Sequence, residues 1–228
     1  MKIDLHVHTS VSSPCSFMPP ERAIQRAIEI GLDAICVTEH EEIAGAEVAG
    51  ELGRKYGFPV FKGIEIYTEF GDMLVYGLYR DAPGWRTPFS ELLEMCGQAG
   101  AVIIPAHSCR VSNELERVHG PERADWLLRN VNAIETHNGG CTPGGNQAAL
   151  DLSRRYNLPG IGGSDSHYEF QTGRCFTEFE DNVRTDEDLV SALRAGHYHG
   201  AYGSTAAAEL GSDHCRPPCL SEEGEEGG

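Results

Sequence analysis

The chain has 228 residues, 40% of them hydrophobic, and a formal net charge of −17. That length fits one domain with a short appendage, and no run approaches the ~18 apolar residues of a membrane span. Such acidity opposes long-range attraction to duplex nucleic acid and anionic membrane, yet leaves a phosphorylated substrate open, because metal-loaded carboxylates become a local cationic site.

In chain order, a short apolar strand followed by an amphipathic helix repeats. Strands are predicted over 2–8, 33–39, 59–67, 73–79, 101–106, 132–137, 159–163 and 175–179. Helices are predicted over 20–30, 42–56, 88–99, 121–129, 144–157 and 185–195. Pro19-Pro20-Glu21 starts the first helix and Gly31 follows its end, with Ala23, Ile24, Ala27, Ile28 and Ile30 as its apolar stripe. Residues 65–79 read as a hairpin around Gly71-Asp72, and the remainder as mostly parallel β/α units. From about Ser204 periodicity is lost, so 1–203 is taken as the domain and 204–228 as a disordered acidic tail. His214, Cys215 and Cys219 in that tail supply only three ligands and are not read as a zinc site. The first strand begins at once, with no apolar signal region, so reduced cysteines and a cytoplasmic setting are expected.

The chemistry lies at the strand ends. In Asp4-Leu5-His6-Val7-His8, alternation predicts Asp4, His6 and His8 on one face and Ile3, Leu5 and Val7 on the other. Two imidazoles so spaced reach one metal ion, with Asp4 close enough to orient one of them. Later strands end in Thr38-Glu39-His40, Gly63-Ile64-Glu65, His107, Glu135 with His137 and Asn138, and Gly163-Ser164-Asp165-Ser166-His167. In a barrel of parallel strands the carboxyl ends converge on one mouth, where active sites are built. Each residue has a structural alternative. His40 can cap the acidic segment after it, Glu135 and His137 can form a local buried pair, and Asp165 with His167 can make an Asx turn. Glu65 within an apolar strand needs a partner. Arg110 and Arg174 fall near the same mouth, either to fork onto phosphate or to pair at the surface. Thr9 and Ser10 are read as satisfying backbone, since no Ser-His-Asp arrangement is visible.

Taken in order, these motifs resemble the polymerase and histidinol phosphatase (PHP) superfamily from Met1 to about Gly203, above all its compact standalone metal-dependent phosphoesterases. The resemblance implies an α/β fold, a distorted (β/α)7 TIM-like barrel with metals at the C-terminal mouth of its strands. It further implies that His6, His8, Glu65 and Asp165 bind one ion. Glu65 would bridge to a second ion held by His107, and His40 and His167 would face a third position or the substrate's phosphate. Trinuclear relatives carry a further His or Asp soon after the first motif, where this chain departs with Ser13 and Pro14. In place of a second-metal histidine after the Gly-x-Glu strand it offers Asp72, or else His137. The implied reaction is hydrolysis of a phosphoric ester by a metal-bridging hydroxide, with His167 or His40 as proton donor and Arg174 or Arg110 on the phosphate. Two or three Zn, Mn or Fe ions suit these donors better than Ca. A small phosphate ester, nucleotide or short oligonucleotide is the expected substrate, with no duplex nucleic acid and no membrane as partner. The rivals are amidohydrolase-type chemistry and a non-catalytic nucleotide-binding barrel.

Overall fold

Capping chemistry sets the helix ends close to where the sequence dictates. In the computed structural model, which describes residues 1–108 and 115–204, the chain order begins β1 (Lys2–Val7), α1 (Pro20–Glu29), β2 (Ala34–His40), α2 (Ala44–Tyr56), β3 (Val60–Thr68) and β4 (Gly71–Tyr76). There follow α3 (Phe89–Ala99), β5 (Val102–Pro105), α4 (Leu115–His119), α5 (Pro121–Arg129), β6 (Ile134–Asn138) and α6 (Pro143–Tyr156). The order closes with β7 (Gly160–Gly163), β8 (Cys175–Phe179), α7 (Asp186–Ala195) and β9 (Tyr198–Tyr202). At α7, Thr185 accepts from the Asp188 amide while the Asp188 carboxylate accepts from Thr185 N, a reciprocal cap that fixes the start. Arg110 and the Cys215/Cys219 segment lie outside the described residues.

Seven strands form a curved sheet in the order β5-β4-β3-β2-β1-β8-β9, and β6-β7 make a second pair. The α/β class and the seven-stranded half-barrel agree with the expected fold. Parallel pairing is less general than expected. It holds for β1–β2, β2–β3 and β6–β7, whereas β3–β4, β4–β5, β1–β8 and β8–β9 are antiparallel. The β3–β4 hairpin turns at Glu69-Phe70, two residues earlier than expected. There Thr68 Oγ1 accepts from Phe70 N (3.1 Å) and donates to Gly71 O (2.8 Å), and Gly71 takes the positive φ of 97° that restarts the strand. Thr177 Oγ1 ties β8 to β7 through Gly162 N and Gly162 O, both at 2.9 Å, and Asn132 Oδ1 ties the entry of β6 to Ile103 N of β5.

Among the described residues there are two apolar clusters. One, with Ile24, Val37, Ile64 and Leu92, lies between sheet and helices. The other, with Ile3, Leu5, Cys36, Phe61, Leu74, Tyr76, Ile104 and Ile161, lies inside the curl of the sheet and is plugged by Leu189 and Leu193 of α7. Each fully buried Ile or Leu contributes about 1.5–3 kcal/mol. No helix among the described residues is long and apolar enough to cross a membrane. Cys36, Cys96 and Cys175 are buried thiols, but Cys141 is disulfide-bonded, against the expectation of reduced cysteines throughout.

A β-bulge corrects the expected face of Asp4. The β1–β2 register slips between Asp4 and Val7, so one extra residue shifts the parity of the strand. Ile3 and Leu5 face the inner core before the slip and Val7 joins the outer one after it. His6 and His8 thereby turn inward without Asp4. The Asp4 carboxylate instead accepts from Ser164 N and Gly173 N (2.8 Å each), and burial pushes its pKa up to about 6.

Strand β7 reads Gly-Ile-Gly-Gly because it runs against its neighbours with no room for side chains. A Cβ on Gly163 would lie 2.4 Å from His6 Cβ and 2.9 Å from His6 N. Gly163→Ala is therefore expected to lower stability by about 1–3 kcal/mol and to push His6 out of line. Thermal denaturation checks the first effect and metal content the second.

Candidate metal centre

At the mouth formed by the carboxyl ends of β1, β2, β3, β5 and β7, five imidazoles and two carboxylates meet. Glu65 of β3 is fully buried at the middle. Its Oε1 lies 3.0 Å from His107 Nε2 and 3.4 Å from His6 Nε2, and its Oε2 lies 3.0 Å from His40 Nδ1 and 3.2 Å from His8 Nε2. Asp165 Oδ1 stands 3.6 Å from both His6 Nε2 and His8 Nε2, and Oδ2 is 3.7 Å from His107 Nε2. The predicted residues His6, His8, His40, Glu65, His107, Asp165 and His167 thus converge, in overlapping groups of three.

Hydrogen bonds hold two of them in strained backbone. His107 (φ 34°) and Asp165 (φ 53°) both occupy the left-handed region that non-glycine residues rarely adopt. Asp165 is pinned by its amide, which donates to His6 O at 2.8 Å. The His107 amide donates to the Glu135 carboxylate.

Hydrogen bonds decide which nitrogen each histidine presents. Glu135 Oε1 only accepts, so His6 donates from Nδ1 (3.0 Å) and aims Nε2 at the centre. Ser13 spends its single proton on Glu39, so it accepts from His8 Nδ1 (3.2 Å), and His8 also aims Nε2 inward. His167 Nδ1 donates to Asp165 O at 3.0 Å. The two inward nitrogens of His6 and His8 lie 3.0 Å apart, where facing lone pairs repel unless a cation sits between them. When metal is removed, a proton takes that place. Burial opposes charge on His6, but Glu135, Glu65 and Asp165 hold its pKa well above the usual histidine value. Burial and the neighbouring His40 push His8 down to about 3.

The donor set fits a metal. Both Glu65 oxygens, His40 Nε2 and His167 Nε2 are buried without a well-formed hydrogen bond among the described residues. Spacings of 3.0–3.7 Å between donors bracket the ~3.4 Å edge of a tetrahedron with ~2.1 Å metal–ligand arms. Imidazole with carboxylate suits zinc, manganese or iron.

Several roles differ from expectation. Glu135 and His137 do not share a face, because a second register slip separates them. Glu135 orients His6 and is itself tied by Asn138 Nδ2 at 3.0 Å. His137 turns away to Thr136 Oγ1 and the Tyr202 ring. Asp72 lies 3.8 Å from His107 Nδ1 and groups with Glu65 and His107. Arg174 packs over the Phe170 ring beside the 168–170 segment that follows His167. Sequence reasoning missed Glu39, which receives Thr9 and Ser13 and so fixes His8. The apolar-strand argument that singled out Glu65 applies equally to Glu39 and could have found it.

An α/β half-barrel with such a mouth carries the donor set of a metal centre. The chain belongs to the PHP family: residues 4–138 match the PHP domain and residues 143–198 the PHP-associated region. An uncharacterised protein of Methanocaldococcus jannaschii is 27% identical over 194 residues, covering 83% of this chain and 75% of the relative. Among solved structures, a two-domain protein of Bacteroides vulgatus containing a predicted PHP-like metal-dependent phosphoesterase superposes with a TM-score of 0.73 at 22% identity. The match covers 89% of this chain and 65% of that one, so this chain spans just under two thirds of it. Endonuclease Q, solved with a 27-mer duplex substrate, shares the fold with a TM-score of 0.53 at 16% identity, covering 87% of this chain and 57% of that one. The fold therefore does not support the expected exclusion of duplex nucleic acid.

Proposed function

We propose that the chain is a metal-dependent phosphoesterase acting on a small phosphate ester, nucleotide or short oligonucleotide. The observation that carries this reading is Glu65, fully buried with four imidazoles within 3.4 Å of its oxygens. In this reading His6, His8, Glu65 and Asp165 hold one ion, Glu65 and His107 with Asp72 a second, and His40 and His167 flank a third position. When bound, divalent ions supply Lewis acidity to the phosphoryl oxygens and acidify a water for attack. The chain's own residues do the rest. Glu135 and the Ser13–Glu39 pair keep the His6 and His8 lone pairs inward. Where the third position holds no ion, His167 faces the mouth through Nε2 and is the proton donor to the leaving oxygen. Arg174 is the cation offered to the phosphate. Residues 1–203 form the working unit in this reading, and the acidic residues beyond it take no part in catalysis.

The test is release of phosphate from a panel of mono- and diesters, with duplex DNA included, beside metal analysis of the purified protein. Activity that depends on metal and is lost in His6→Ala supports the reading. Cleavage of cyclic amides but not phosphate esters would favour the amidohydrolase alternative. Protein that binds no transition metal would remove both. Arg174→Ala is expected to raise KM more than it lowers kcat.

A further inference from the structure

We propose that Cys15 is a thiolate ligand at the third metal position, beside His40 and His167, and that it biases this position toward thiophilic ions such as zinc or ferrous iron. The inference rests on the metal-centre reading above. It concerns which atoms bind rather than which ester is cleaved.

The segment between β1 and α1 leaves the mouth after His8 and returns past it. Ser13 is absorbed in holding His8 and Glu39, which leaves the expected ligand position without a donor. Two residues on, the Cys15 side chain comes within hydrogen-bonding range of the imidazoles of both His40 and His167. It is half-buried and takes no part in a disulfide. The residue is thus not an isolated thiol. It stands at a preformed cluster in which the ligand atoms of His8, His40 and His167 lie within 4.8 Å of one another. The His8 ring packs against both of the other rings, at 4.4 Å and 4.5 Å between centroids.

The two histidines point independently to a ligand. Their Nε2 atoms are buried, yet neither has a well-formed hydrogen bond among the described residues, although the thiol is near both. Poorly directed contacts among three donors are what three ligands of one ion show when each is aimed at a common point rather than at the others. Fully buried Glu65 presents Oε2 to His40 from the opposite side, at 3.0 Å. His8 is already turned to Glu65 and His6, so without Cys15 the described residues leave this position to His40 and His167. On binding, the sulfur–metal bond forms as the thiol proton passes to solvent. Sulfur with imidazole selects zinc or iron over magnesium or manganese.

Cobalt titrated into metal-free protein should produce a sulfur-to-cobalt charge-transfer band in the near ultraviolet. Cys15→Ser should abolish that band and weaken the last-bound ion at least ~100-fold, while the other ions bind as before. Cys15→Asp should restore binding without the band, which separates a lost ligand from a damaged loop. Bound zinc should also protect Cys15 from iodoacetamide in the unaltered protein, as read by mass spectrometry of its peptide. A band that survives in Cys15→Ser belongs to another thiol and overturns the assignment. Unchanged affinity in that variant, or alkylation indifferent to zinc, does the same. Protein that binds metal through Cys15 but cleaves no phosphate ester would sink the proposed function and leave this inference standing. An active enzyme with no thiolate signature would do the reverse.

Discussion

Glu65→Gln is expected to empty the metal centre and reduce hydrolysis to background. The substitution keeps shape and volume but removes the charge that every surrounding imidazole faces. Burial alone would raise the Glu65 pKa, yet the charges of His6 and His40 and the close approach of the His107 imidazole hold it well below the carboxylate range. A glutamine supplies one oxygen and one NH2, and the NH2 half can neither bind metal nor accept from an imidazole. Loss of an outer partner of a metal ligand costs ~10–100-fold in affinity, and loss of the shared ligand should exceed that range. In the metal-free protein the variant also strands buried imidazolium charge, at a cost of about 3–5 kcal/mol. Metal stoichiometry, phosphate release and thermal denaturation read the three effects. His137→Ala is the internal control: its ring faces Tyr202 rather than the mouth, so its metal content should stay near wild type. Equal losses in the two variants would refute the division between central and peripheral residues.

The ligand ring was legible because strand ends advertise themselves. An apolar run such as Ile134 or Val102–Ala106 that stops at Glu135 or His107 leaves few structural uses for the polar residue. Orientation was harder to read. Period-two alternation placed Asp4 with His6 and Glu135 with His137, and in both strands a bulge reversed the assignment. A single extra residue leaves no compositional mark, and bulges gather where a side chain must be re-aimed, so the rule failed at the site itself. Cys15 escaped for a related reason. It sits in an irregular segment with no period to place it, and only the fold brings that segment back over His40 and His167. Strand β9 was missed because Gly200 interrupts its pattern. There the glycine serves close approach, since a Cβ would lie 2.6 Å from His137 Nδ1 and from Ile161 O. The antiparallel ladders were illegible beyond the β3–β4 hairpin, because β5 and β9 join the sheet through contacts distant in sequence.

Metal affinity should fall steeply as pH drops, and chelation should reverse the pH dependence of stability on the alkaline side. Without metal the centre is held by imidazolium–carboxylate pairs. Burial opposes charge on His40, but Glu65 carries its pKa up to about 11, while His6 is also raised and Asp165 is lowered by His6, His107 and His8. For a raised histidine the stabilisation is complete below its ordinary value of 6.5 and is lost as pH climbs through its folded value. For the lowered carboxylates it is present above their ordinary values and is lost as pH falls through the folded ones. The chelated protein should therefore be most stable between about pH 4.5 and 6.5 and weaken toward both extremes. In the loaded protein the alkaline loss should disappear, because a metal replaces the protons on His6 and His40 and binds more tightly as they leave. Loading near pH 7 should release about two protons. Titration calorimetry in buffers of different ionisation heat counts them directly. Denaturation curves with and without chelator, taken from acid to alkaline pH, test the reversal. Loading at ~100 times Kd should add about 2.7 kcal/mol. An affinity indifferent to pH would mean that metal enters without displacing these protons, and the centre built around Glu65 would have to be abandoned.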